Sequence, residues 1–173
     1  MQSIELPENR NIRYQYFYGC VSLERCIIGN GCDTISKQAF YNCEALKEIS
    51  IPDTVTTIEP SAFSGTGISE FVYPPYVTAI SGLGDMPRLT RVEIGENAVS
   101  VSGMGNCPLL KTLIIRTSTP PSTDYWTLLN APQIPNIYVP DTSVSAYKTA
   151  SGWSKWAAYI RPCLLYTSDA ADE

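Results

Sequence analysis

Histidine is absent from the 173 residues, which removes the commonest general base and a common metal ligand at once. Charge is also sparse: charged residues make up 17% of the chain, the net charge is -5, and no Lys/Arg block occurs. A nucleic-acid partner would need such a block, so none is expected. No apolar run approaches the roughly 18 residues of a membrane span, and Met1 is not followed by a basic-then-apolar leader. Direct membrane insertion by this segment is therefore not expected. The six cysteines contain no C-x-x-C pair, which leaves zinc and dithiol redox chemistry without their spacing. No cofactor or metal is expected.

What the chain has instead is repetition. Phe17, Phe40 and Phe63 stand 23 residues apart and open the phrases FYGCVSLERCIIG, FYNCEALKEISIP and FSGTGISEFVYP, the third one residue short before Ile68. Two further copies, LGDMPRLTRVEIG from Leu83 and MGNCPLLKTLIIR from Met104, follow at a spacing of 21. Aligned, they form columns. Leu23, Leu46, Ile68, Leu89 and Leu110 share the first, and Cys26, Ile49, Phe71, Val92 and Leu113 the second. Ile28, Ile51, Tyr73, Ile94 and Ile115 share the third.

Period-two alternation within L-x-x-L-x-L reads as a short strand whose side chains point to opposite faces in turn. Gly29, Pro52, Pro74 or Gly95 then turns the chain out of it. A returning segment is anchored by Cys32, Val55, Val77 and Ala98, and then by Ile35, Ile58, Ile80 and Val101. Ile4, Leu6, Pro7 and Ile12 look like the back half of one more repeat. A single repeat holds too few apolar side chains to offset the entropy of ordering it, so the copies must stack.

The phrase F-x-x-C-x-x-L-x-x-I-x-I-P-x-x-V-x-x-I, read from Phe40 to Ile58, resembles the BspA-like (treponemal-type) leucine-rich repeat. The resemblance covers roughly Ile4 to Arg116, so residues 1–116 are assigned to the array. Leu83 and Met104 stand in place of Phe, and Thr66 and Met86 in place of Cys, so the later copies are degenerate. The resemblance implies a leucine-rich-repeat solenoid of short parallel strands with turns and minimal helix. It also implies an extracellular or bacterial cell-surface location, and adhesion or binding to host proteins.

Residues 117–162 read as a small helical C-terminal capping segment with one strand. After Thr119-Pro120-Pro121 comes a loop with Tyr125, Trp126, Leu128 and Leu129, then Ile137-Tyr138-Val139 as the strand. Asp141-Thr142-Ser143 is helix-cap chemistry. Val144, Tyr147 and Ala150, then Trp153, Trp156, Ala157 and Ile160, fall at helical spacing and could cover the open edge of the last strand. The phrase IYVPDTSVSAYKTASGW resembles a cap common on such proteins from gut bacteria. Residues 163–173, CLLYTSDAADE, match neither repeat nor cap and resemble translated sequencing adapter, which marks them as a non-native tail. The chain begins inside a repeat, as a fragment or a late-started gene model would.

Cys20, Cys43 and Cys107 share the column after the aromatic, while Cys26 and Cys32 take the places of Ile49 and Val55. All five are expected to be buried as small hydrophobes. A disulfide between stacked positions such as Cys20 and Cys43 stays open, because neighbouring strands lie about 4.8 Å apart. Arg25, Glu48, Glu70, Arg91 and Thr112 share one outward position. Glu48 and Glu70 are therefore expected to be cross-sheet neighbours, near the roughly 5 Å separation used by retaining glycosidases. The competing reading is a solvated charge ladder flanked by Arg25 and Arg91.

The cap aromatics Trp126, Tyr147, Trp153, Trp156 and Tyr159 could hold a sugar or a partner, but their clustering favours core packing. A solenoid instead binds through its strand face. The outward positions there are Arg25, Ile27, Glu48, Ser50, Glu70, Val72, Arg91, Glu93 and Ile114. Exposed Ile27, Val72 and Ile114 would form an apolar centre within a polar rim. The expected function is a non-enzymatic protein-interaction or adhesion module. Its expected partner is another protein, with host extracellular-matrix and plasma proteins as candidates. The alternatives are a structural spacer in a larger extracellular or phage-borne assembly, and a glycoside hydrolase using Glu48 and Glu70.

Overall fold

A computed structural model describes residues 2–124, 127–128 and 130–163. Each copy of the repeat closes one coil of a parallel β-solenoid. The longer strands are β1 (Gln2–Glu5), β2 (Leu23–Ile27), β4 (Glu48–Ser50), β6 (Glu70–Val72), β8 (Arg91–Ile94), β10 (Thr112–Ile115), β12 (Asn136–Val139) and β13 (Ile160–Pro162). Shorter strands form a second face: β3 (Thr34–Ile35), β5 (Thr57–Ile58), β7 (Ala79–Ile80), β9 (Ser100–Val101) and β11 (Ser122–Thr123). One helix, α1 (Val144–Thr149), lies near the end. Register follows the sequence columns, with Cys26 opposite Ile49, Phe71 opposite Val92, and Val92 opposite Leu113.

Inside, the repeated apolar residues form one core. Phe17 stacks on Phe40 at 5.0 Å and Phe40 on Phe63 at 5.3 Å between ring centroids. Leu83, Met104 and Leu128 continue this corner, all buried. Two residues beyond each corner residue stand Gly19, Asn42, Gly65, Asp85, Asn106 and Asn130, every one with φ between 56° and 75°. Only glycine and the short Asn/Asp side chains enter that left-handed region easily, which explains what the column tolerates. The side chains also help one another: Asn106 Nδ2 donates to Asp85 Oδ1 at 2.7 Å, and Asn130 Nδ2 to Asn106 Oδ1 at 2.9 Å.

Cys20 departs from the expected burial: it is exposed, whereas Cys26, Cys32, Cys43 and Cys107 are buried, and all of these thiols are free. The reason lies in the stacking. Cys43 Sγ donates to Phe17 O at 3.0 Å and Cys107 Sγ to Leu83 O at 3.1 Å, each using the corner of the coil before it. The described residues ahead of Phe17 supply a strand and a bridge from Ile12 to Ile35, but no such corner.

The strand ladder is interrupted between β4 and β6. The long face divides into β1-β2-β4 and β6-β8-β10-β12-β13, and the short face into β3-β5 and β7-β9-β11. Only the corner stays joined there, through Phe40 N donating to Ala62 O and Asn42 N to Ser64 O, both at 2.8 Å. Two features of the third coil account for the opening. It is one residue short before Ile68, and Tyr73 is buried where other coils place Ile, its hydroxyl donating to Ser81 O at 2.5 Å. Ile49 and Ile51, expected in the core, are consequently only half-buried.

Beyond residue 116 the chain contributes three strands rather than the expected one. β11 pairs with β9, β12 with β10, and β13 with β12, all parallel. The Trp153–Ile160 stretch is not one amphipathic helix: it is a 3-10 run, Ser154–Tyr159, with non-helical φ/ψ at Trp156, and Ile160 opens β13. So it adds an edge strand instead of covering one, and Arg161 and Pro162 on that edge discourage further pairing. Asp141–Ser143 forms a 3-10 turn, and Ser143 caps α1 without a side-chain hydrogen bond. The aromatics do pack. Tyr147 and Trp153 are fully buried, with Trp153 Nε1 donating to Pro121 O at 2.6 Å and Tyr147 Oη to Thr117 O at 3.1 Å. Tyr125, Trp126, Leu129 and the tail from 164 onward lie outside the described residues.

Candidate functional site

Alternation along each long strand turns one side chain in two outward, so the nine positions picked from the sequence share one face. Their exposure differs. Val72 is 57% exposed, the most open of the three apolar members. Ile27 and Ile114 are half-buried, contrary to the expectation of an exposed row. Ile114 lines a recess of about 460 Å³ with Arg116, Pro140, Asp141 and Cys163, where the chain after β12 folds over it. Ile27 sits between Glu5 and Ser50 in the ladder.

The charges fall into two groups. Arg25 Nε lies 3.5 Å from Glu48, an exposed pair of little energetic weight. Around Glu93 a tighter network forms. Arg91 Nη2 reaches its carboxylate at 2.5 Å and Arg116 Nη2 at 2.7 Å, while Arg91 also stands 3.8 Å from Glu70. Burial opposes ionisation of Glu93, but hydrogen bonds and charges from Arg116 and Arg91 outweigh it and hold its carboxyl below the usual 4.5. This face presents fixed, neutralised charge.

Glu48 and Glu70 are not ladder neighbours, because the interruption separates their strands. Each is exposed and faces an arginine. The paired-carboxylate arrangement expected from the columns is therefore absent as drawn. Among the described residues, no group of three His, Cys, Asp or Glu side chains is placed to hold a metal ion.

Two surface features escaped the sequence reading. Tyr14, Tyr16 and Tyr18 are all about half exposed or more, and Tyr18 stacks on Tyr41 at 5.2 Å. Their alternation along the chain was the available signal. The second is a cleft of about 400 Å³ between β4 and β6, bounded by Ile49, Ile51, Asp53, Glu70, Val72 and Tyr73. Only the shortened third repeat hinted at it.

Comparison with known proteins agrees with this architecture. The pattern of the BspA type leucine rich repeat region, in 6 copies, matches residues 1–83. The crystal structure of the pneumococcal vaccine antigen PcpA is similar with a TM-score of 0.67 at 20% identity, over 92% of this chain and 39% of that one. A leucine-rich repeat protein from Bacteroides ovatus aligns at a TM-score of 0.49 and 22% identity, over 83% of this chain and 49% of that one. This chain thus spans less than half the length of either. A search of curated proteins finds no match. Through residues 1–83 foremost, the chain belongs to the BspA-type leucine-rich repeat family.

Proposed function

We propose that this chain is a non-enzymatic binding module of a bacterial surface or secreted protein, engaging another protein through its long strand face. The observation that supports it most is Val72, an apolar side chain 57% exposed among charged neighbours on a flat, rigid ladder. A desolvated apolar anchor inside a polar rim is what a protein interface requires. The rim charges are already paired within the chain, so they steer and orient a partner more than they bind it. Residues 117–162 serve the array as its cap, carrying the ladder on to β13 around the buried Tyr147 and Trp153. Host extracellular-matrix and plasma proteins are the partner class to try first.

Binding to an immobilised panel of such proteins tests this reading. Val72→Asp is expected to weaken a true interaction at least about tenfold, roughly 1.4 kcal/mol, chiefly through the off-rate. Glu48→Lys with Glu70→Lys is expected to change the association rate and its salt dependence instead. Unaltered binding by Val72→Asp, together with loss on Trp126→Ala, would move the site to the cap loop.

A further inference from the structure

In a parallel ladder the backbone groups of alternate residues face opposite neighbours, so each strand offers one edge to either side. Ser50 O accepts from Ile28 N at 2.9 Å, which directs the groups of Glu48 and Ser50 toward β2 and leaves those of Ile49 and Ile51 facing β6. Tyr73 N donates to Glu93 O at 3.0 Å, which directs Phe71 and Tyr73 toward β8 and leaves Glu70 and Val72 facing β4. No ladder joins these two edges. The Cα atoms of β4 and β6 stand for the most part more than 8 Å apart, against about 4.8 Å for paired strands. Two strand spacings, roughly 10 Å, are what one inserted strand needs.

We propose that the gap between Glu48–Ser50 and Glu70–Val72 is a docking slot for one extended segment of a partner protein, which completes the interrupted sheet. The segment would be apolar at alternate positions and flanked by Lys or Arg. Backbone rungs to both open edges supply the affinity, as in other strand additions. Half-buried Ile49 and Ile51 and exposed Val72 form the apolar walls, while Asp53 and Glu70 are the only charged residues lining the slot. Both are acidic, so a basic flank is the complementary one. The slot of about 400 Å³ fits a few residues of a peptide and no folded domain. The proposal rests on the strand face being the binding surface and narrows it to one segment of that face.

Panning random dodecapeptides displayed on phage against the full chain, followed by amide NMR with the selected synthetic peptides, tests it. Selected peptides are expected to alternate apolar residues between basic flanks and to slow hydrogen exchange at Ile49, Ile51, Glu70 and Val72. Methylating alternate backbone nitrogens of the peptide is expected to weaken binding at least tenfold. Asp53→Lys, on the exposed rim, is expected to weaken basic-flanked peptides several-fold. Peptides that map to Arg91, Glu93 and Ile114 and tolerate N-methylation would overturn the slot while leaving the strand face as the binding surface. Peptides that map to the cap or to the tyrosine row, or no selected peptide at all, would overturn both.

Discussion

The two blocks of the solenoid on either side of the interruption build the same core by different means. Before it, coils of 23 residues pack Phe17, Phe40 and Phe63 as a stack of rings at the corner. After it, coils of 21 residues fill the same corner with Leu83 and Met104, and the outer face gains the network centred on Glu93. The third coil belongs to neither: it has the Phe of the first block and pairs its strands with the second. Ser64 Oγ and Thr66 Oγ1 are buried there without a partner, at a typical cost of about 1–3 kcal/mol each. A change of coil length is thus concentrated in one joint, where the ladder opens, rather than spread along the array.

Breaking the ring stack should separate the blocks most. Phe40→Ala removes both stacking partners' contact at a fully buried site, and a loss of roughly 3–5 kcal/mol is expected in urea unfolding. Hydrogen exchange should then accelerate in β2–β5 well before β8 and β10, because few backbone rungs cross the joint. Equal acceleration throughout would show that the joint does not divide the solenoid.

A smaller effect is expected in the second block. Glu93→Gln should cost on the order of 1 kcal/mol at neutral pH, since the network is only partly buried. The folded-state carboxyl is held below its ordinary value. Its contribution is therefore complete above the usual carboxylate range and disappears as pH falls through the lowered value. Melting temperatures of wild type and variant should converge in acid. A gap that persists undiminished there would remove Glu93 as the network's centre.

The smallest effect sharpens the first block's edge. Burial pushes the thiols of Cys26 to about 12 and of Cys43 and Cys107 to about 11, and raises Cys32 as well. In a Cys163→Ser background at pH 8, a thiol reagent should modify Cys20 in the native state and the other four only on unfolding. Cys20→Ser should change stability by less than about 0.5 kcal/mol. Rapid native labelling of Cys43 would mean that the corner stacking on Phe17 is not formed.

Much of this was legible before any coordinates. Columns such as Leu46, Ile68 and Leu89, or Ile58, Ile80 and Val101, are buried where periodicity placed them, because burial along a solenoid is a local, repeated event. The left-handed column from Gly19 to Asn130 was equally readable, as Gly, Asn or Asp two residues past each corner, but requires knowing that the corner turns there. The candidate face was legible in its alternation and not in its exposure. Ile27 and Ile114 look like Val72 in sequence, yet neighbouring chain covers them.

Sequence alone determined the coil, its parallel stacking and the identity of the core, since each follows from a short pattern repeated in register. Tertiary structure alone decided where the ladder opens. A missing residue before Ile68 and a tyrosine at position 73 are each compatible with a continuous sheet when viewed one repeat at a time. Whether two strands meet depends on the sum of displacements around a whole coil, and that sum is a property of the packed neighbours.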